Sequence, residues 1–154
     1  MASQVDSTLV LTRVFDAPRE LVFAAWVDPG QLARWFGPRN IAAAVDRMDV
    51  HPEGGYRITL RATDSGETYA VHGVYREVVP PERLVFTWAW EEDCPTHEKD
   101  VESVVTVLFR ERGARTEIVL QHAELAPKMR TSTPRGWSAS LDRLAEVLAG
   151  QGGA

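Results

Sequence analysis

The sequence predicts an α+β domain. A strongly curved antiparallel sheet of about seven strands wraps around one long C-terminal helix, in the chain order β-α-α-β6-α. Three observations predict it. Apolar residues alternate with period two through six successive segments between residues 41 and 123. The breaks between those segments carry turn residues at hairpin spacing, which argues for an antiparallel meander. The chain then closes on Trp137, Leu141, Leu144 and Leu148, a stripe with helical period.

Taken in order, Thr8 to Phe15 alternates as a first strand, with Leu9, Leu11 and Arg13 opposite Val10, Thr12 and Val14. Asp16 and Pro18 read as a helix start, because Asp accepts from free N–H groups and proline has none to lose. Val22, Phe23 and Trp26 mark the inner side of that helix. Asp28-Pro29 repeats the signal for a second, short helix with Leu32, Trp35 and Phe36, which Gly37-Pro38 ends. Strands follow near 41–50, 55–63, 67–79, 83–91, 101–111 and 115–123. Their breaks are His51 to Gly55, Asp64-Ser65-Gly66, Pro80-Pro81, the polar Glu92–Asp100 segment, and Arg112-Gly113-Ala114. Thr133 and Pro134 are expected to cap and open the last helix. Arg135, Asp142, Arg143 and Glu146 lie off its apolar stripe.

At 154 residues the chain has room for one domain with a full core, expected over 1–154 with 1–7 and 150–154 as tails. A net charge of −5 with interspersed signs argues against nucleic acid as a partner. The single cysteine, Cys94, excludes an internal disulfide framework and fits a reducing cytoplasm. No apolar run reaches the roughly 20 residues of a membrane span, and MASQVDSTLV is no signal peptide. A cytoplasmic location is therefore expected.

Several segments together resemble one superfamily. They are Phe15-Asp16-Ala17-Pro18 with Val22-Phe23; Asp28-Pro29 with Leu32 and Trp35-Phe36-Gly37-Pro38; Gly54-Gly55-Tyr56-Arg57; and Gly73-Val74-Tyr75 with Glu77-Val78. The run Pro80-Pro81-Glu82-Arg83-Leu84-Val85-Phe86-Thr87-Trp88 is the strongest, joined by Val105-Thr106-Val107, Thr116 to His122, and Gly136-Trp137 with Leu141 and Leu144. The chain from Thr8 to Leu148 thus resembles the START-like (SRPBCC) superfamily, and within it proteins related to the activator of the heat-shock protein 90 ATPase. The resemblance implies a helix-grip fold and a cavity for a small, mostly apolar molecule between sheet and C-terminal helix.

Alternation places Leu84, Phe86, Trp88 and Trp90 on one strand face and Val85, Thr87 and Ala89 on the other. Phe86, Trp88 and Trp90 of the first row are a candidate ligand wall as well as core. Thr116, Ile118, Leu120 and His122 share the inner face of the last strand. Trp137 and Leu141 should face the same space, with Trp26, Trp35 and Phe36 closing one end. Tyr56, Tyr69 and Tyr75 bring hydroxyls that can reach inward. Trp26, Trp35, Phe36, Tyr56, Tyr75, Phe86, Trp88, Trp90, Ile118, Leu120, His122, Trp137 and Leu141 are the cavity candidates. The side of its strand that His72 faces stays open, and Arg57 is read as a surface residue.

No catalytic constellation is evident. His51, His72, His97 and His122 lack metal-ligand spacing, and no G-x-S-x-G, P-loop or G-x-G-x-x-G pattern occurs. Neither a catalytic residue nor a metal or cofactor is expected. The leading reading is a binder of a small hydrophobic molecule. A cavity-based enzyme of cyclase, dehydratase or hydrolase type, using His122 with Tyr75 or Tyr56, is the first alternative. A stress-response or chaperone-associated protein is the second. A homodimer is a further expectation, and the acidic segment from Glu91 to Asp100 is read as a solvated loop or a lid.

Overall fold

The computed structural model describes residues 8–92, 99–125, 127 and 129–152. The elements are β1 (Leu9–Phe15), α1 (Arg19–Val27), α2 (Pro29–Trp35), β2 (Ile41–Met48), β3 (Gly55–Ala62), β4 (Thr68–Val79), β5 (Arg83–Trp90), β6 (Ser103–Arg112), β7 (Arg115–Ala123) and α3 (Met129–Gly152). The seven strands form one sheet in the order β1-β7-β6-β5-β4-β3-β2, antiparallel throughout. This curled half-barrel around α3 is the helix-grip fold. Among the described residues, no helix is long and apolar enough to cross a membrane.

Period two explains the sheet. Along β6 and β7, Val105, Val107 and Phe109 and then Thr116, Ile118, Leu120 and His122 are buried, while the residues between them are more exposed. The α3 stripe of Trp137, Leu141, Leu144 and Leu148 is buried against that concave face. β5 departs from simple alternation: its outward-facing Val85, Thr87 and Ala89 are buried too. It is the central strand, and Val85 and Ala89 lie beside the longer side chains of Glu77 and His72 on β4.

Two expected helix starts need correction. Asp16 does not cap α1; Pro18 occupies that position without a side-chain hydrogen bond, and the Asp16 carboxylate lies 3.7 Å from Arg115. The last helix begins at Met129 and carries Pro134 inside it, so Thr133-Pro134 is not its start. Proline's missing N–H forfeits one bond there, a loss confined to the early turns of a long helix. Asp28 does cap α2, accepting from the Gly30 N–H at 2.9 Å with Pro29 as first residue.

The turn after α2 is bolted to α3. Gly37 has φ +91°, in the left-handed region, and donates its N–H to Ser140 Oγ at 2.9 Å. The Arg143 guanidinium donates to four carbonyls around it: Gly37, Pro38 and Ile41 from Nη1, and Arg34 from Nη2. Of these, the Arg34 carbonyl belongs to the last turn of α2, where a helix leaves carbonyls without intrahelical partners.

Of the polar segment after β5, residues 93–98, including Cys94 and His97, lie outside the described residues. Its ends are tied to the sheet: Glu92 accepts from the Ala70 N–H at 3.0 Å, and the Asp100 N–H donates to the Trp90 carbonyl at 2.8 Å.

Candidate functional site

The concave face carries two aromatic groups. One centres on α1, α2 and α3: Trp26 packs on Trp35 at 4.7 Å and on Trp137 at 5.8 Å, and Trp88 reaches Trp137 at 5.4 Å and Phe36 at 5.8 Å. The other is the triad Tyr56, Tyr75 and Phe86, with centroids 5.7–6.0 Å apart. Between them lies a cleft of about 20 Å³, lined by Trp26, Leu32, Phe36, Met48, Tyr56, Ile58, Tyr75, Leu84, Phe86 and Trp88. That space suits about one water molecule. Among the described residues, Met48, on edge strand β2, is the one lining residue that is only partly buried.

Burial governs the chemistry of this wall. Burial, and then Tyr75, raises the Tyr56 hydroxyl well above its ordinary range; burial, and then the Asp49 carboxylate, raises Tyr75. Both stay protonated at neutral pH. The Tyr56 hydroxyl donates to the Thr87 carbonyl at 2.6 Å. Gly73 allows this, since a Cβ there would stand 2.0 Å from that carbonyl oxygen and 2.8 Å from the Tyr56 ring. The β4–β5 register passes from His72–Ala89 to Tyr75–Phe86, and the Val74 N–H turns to Thr87 Oγ1 at 2.9 Å. Two side chains thus satisfy backbone groups where the ladder opens. The Trp26 and Trp88 indole nitrogens, both buried, find no hydrogen-bond partner among the described residues.

His122 occupies a different corner. Trp137 Nε1–H donates to His122 Nδ1 at 3.0 Å, so Nδ1 is the bare nitrogen and Nε2 carries the proton. Nε2–H donates to Ser103 Oγ at 2.7 Å, and the Ser103 hydroxyl donates to the Trp88 carbonyl at 3.3 Å. Burial lowers the imidazole pKa to about 3. A proton on Nδ1 would face the Trp137 N–H, so the chain of donors holds the neutral ring. The partner is a serine and an indole rather than a ligand.

Of the sequence candidates, Trp26, Phe36, Tyr56, Tyr75, Phe86 and Trp88 meet at the cleft. Trp35, Ile118, Leu120, His122, Trp137 and Leu141 are buried behind it, outside its lining. Trp35 donates to the Ala25 carbonyl at 3.0 Å, and partly buried Trp90 meets Trp88 edge-on. The Tyr56 hydroxyl is turned to the backbone, not to His122. His72 lies on the outer face, half-exposed and 3.9 Å from Asp100. Arg57 is on that face too. It forks onto Glu91 through two 2.9 Å bonds and reaches Asp46 at 2.8 Å. Glu91 is held below the usual carboxylate range, chiefly by that hydrogen bond. Sequence reasoning missed Leu32, Met48, Ile58 and Leu84 as lining, and Ser103 as partner of His122. An inward-facing serine in the row Ser103, Val105, Val107, Phe109 is the signal that points to a buried polar contact. Among the described residues, no group of three or more His, Cys, Asp or Glu is placed to hold a metal.

The model of the family described as Activator of Hsp90 ATPase homolog 1-like protein matches residues 16–149. Among solved structures, a protein of Chromobacterium violaceum is 27% identical with a TM-score of 0.84, covering 92% of this chain and 96% of its own. The AHSA1 protein of Silicibacter pomeroyi is 30% identical with a TM-score of 0.80, over 94% and 99% of the two chains. A Mycobacterium smegmatis protein, 21% identical over 94% and 92% with a TM-score of 0.80, shares the fold. No curated protein matches the chain.

Proposed function

The chain belongs to the Activator of Hsp90 ATPase homolog 1-like family, and on that footing we propose that it binds a small apolar molecule in the cleft between its two aromatic groups. The observation that carries this reading is the lining itself. Among the described residues, ten from α1, α2 and the turn after it, β2, β3, β4 and β5 converge there, and none is ionisable except two tyrosines that burial keeps neutral. Binding pockets are largely apolar with a few polar groups that fix orientation. A space of about 20 Å³ is far smaller than any organic ligand, so occupancy requires side chains to move. Met48, unbranched and on the rim, is the residue that can yield at least cost.

The enzyme alternative draws no support from His122, because both ring nitrogens are engaged and the ring is kept neutral. A chaperone contact rests on the family description alone.

The test uses N-phenyl-1-naphthylamine, a neutral apolar dye excited by energy transfer from tryptophan. Saturable one-to-one emission is expected, and Met48→Trp should block it while leaving the unfolding midpoint close to wild type. Absence of saturable binding, or equal binding by the variant, would overturn the reading.

A further inference from the structure

We propose that the molecule held in the cleft is neutral and carries an acceptor oxygen, of ketone, ester or ether type, that takes up the Nε1–H groups of Trp26 and Trp88. This rests on the binding reading above and names the ligand class for the same site.

The inference comes from an accounting of buried indoles. Trp26, Trp35, Trp88 and Trp137 are all at least nine-tenths buried. Trp35 donates to the Ala25 carbonyl and Trp137 to His122 Nδ1, each at 3.0 Å. The other two indole donors have no partner among the described residues, and both of their rings line the cleft. Buried donors in folded proteins are paired as a rule, because an unpaired one forfeits its hydration with nothing in exchange. Two exceptions on the wall of one cleft therefore point to a shared acceptor that arrives with a ligand.

The rest of the lining narrows the class. Among the described residues, no Lys, Arg, Asp, Glu or His belongs to it. An ionised ligand would be desolvated there with no countercharge. The Tyr56 hydroxyl proton is committed to the Thr87 carbonyl. What two of the lining rings carry without a partner among the described residues is donor hydrogen, which selects a molecule that accepts.

The test pairs acetophenone with α-methylstyrene, which keeps the same skeleton and replaces C=O by C=CH2. Binding is followed on the ¹⁵N-labelled whole chain through its indole N–H resonances. These are assigned with Trp26→Phe and Trp88→Phe or, should either variant unfold, by through-space contacts in the wild type. Acetophenone is expected to bind at least about fivefold more tightly, the margin of roughly one hydrogen bond. The Trp26 and Trp88 indole protons should move downfield, while those of Trp35 and Trp137 stay in place as internal controls. Equal affinities with unmoved indoles would leave the cleft as an apolar site and overturn the acceptor inference, the N–H groups then resting on neighbouring ring faces. A shift confined to one ring would overturn the two-donor arrangement. If neither probe binds, the binding reading fails and the inference falls with it.

Discussion

The His122 corner and the cleft are both lined by aromatics on the concave face, yet they are built to opposite rules. At His122, each polar atom has a partner: indole to Nδ1, Nε2 to hydroxyl, hydroxyl to carbonyl. At the cleft, the wall is apolar, the space is slight, and two donors are unmatched among the described residues. A fully satisfied buried network specifies one arrangement of its side chains and resists change. An apolar wall with spare donors has no such single arrangement to defend. The contrast separates a fully paired polar cluster from an apolar cleft wall, although tryptophan lines both.

Substitutions can break or sharpen that contrast. The largest effect is expected from His122→Ala, which leaves the Trp137 N–H without its acceptor and the Ser103 oxygen without its donor beside a new void. A loss of about 4 kcal/mol is expected in denaturant unfolding. Gly73→Ala should follow at about 3 kcal/mol, since its Cβ would collide with the Thr87 carbonyl and the Tyr56 ring. Its damage should reach the cleft wall and weaken dye binding, which His122→Ala should affect less.

Acid offers a third contrast. Unfolded His122 takes its proton near 6.5, while the folded ring resists to about 3. Between those values the unfolded state binds more protons, so stability rises with pH inside the window and falls as the medium is acidified. Above 6.5 the group is neutral in both states and contributes no slope. Roughly 1.5 kcal/mol should be lost between pH 6.5 and 5, and His122→Asn should lack that share in unfolding curves at the two pH values. Tyr56→Phe keeps the ring and strands the Thr87 carbonyl, at about 1–2 kcal/mol, measured the same way. The smallest cost belongs to Met48→Ala, about 1 kcal/mol for a half-buried side chain, together with tighter dye binding. If Met48→Ala proves as damaging as His122→Ala, the cleft is as rigidly specified as the corner and the contrast collapses.

Much of the fold was legible because the period of apolar residues switches three times and turn chemistry punctuates the middle. β7 is found where alternation puts it, and the rows Leu84-Phe86-Trp88 and Ile118-Leu120-His122 face inward as read. The start of α3 was not legible: proline at a first position and proline inside an early turn look alike in sequence. The site was half legible. Aromatic candidates could be listed, but which of them meet depends on the ladder opening at Gly73 and on the tilt of α1 and α2 against α3. The pairing of Ser103 with His122 joins strands through register, and register is written in geometry more than in any single residue. Unpartnered indoles are beyond sequence altogether, since every tryptophan brings the same donor.

Arg143 sets the mechanics of the cleft. By gathering the carbonyls of Arg34, Gly37, Pro38 and Ile41 onto one guanidinium, it pins the end of α2 to α3. Leu32 and Phe36 cannot swing aside without dragging the long helix or breaking that pin. Met48, opposite them, rides on an edge strand paired on one side only. The cleft has one fixed jaw and one free jaw, and on the binding reading proposed above the free one is the side of entry.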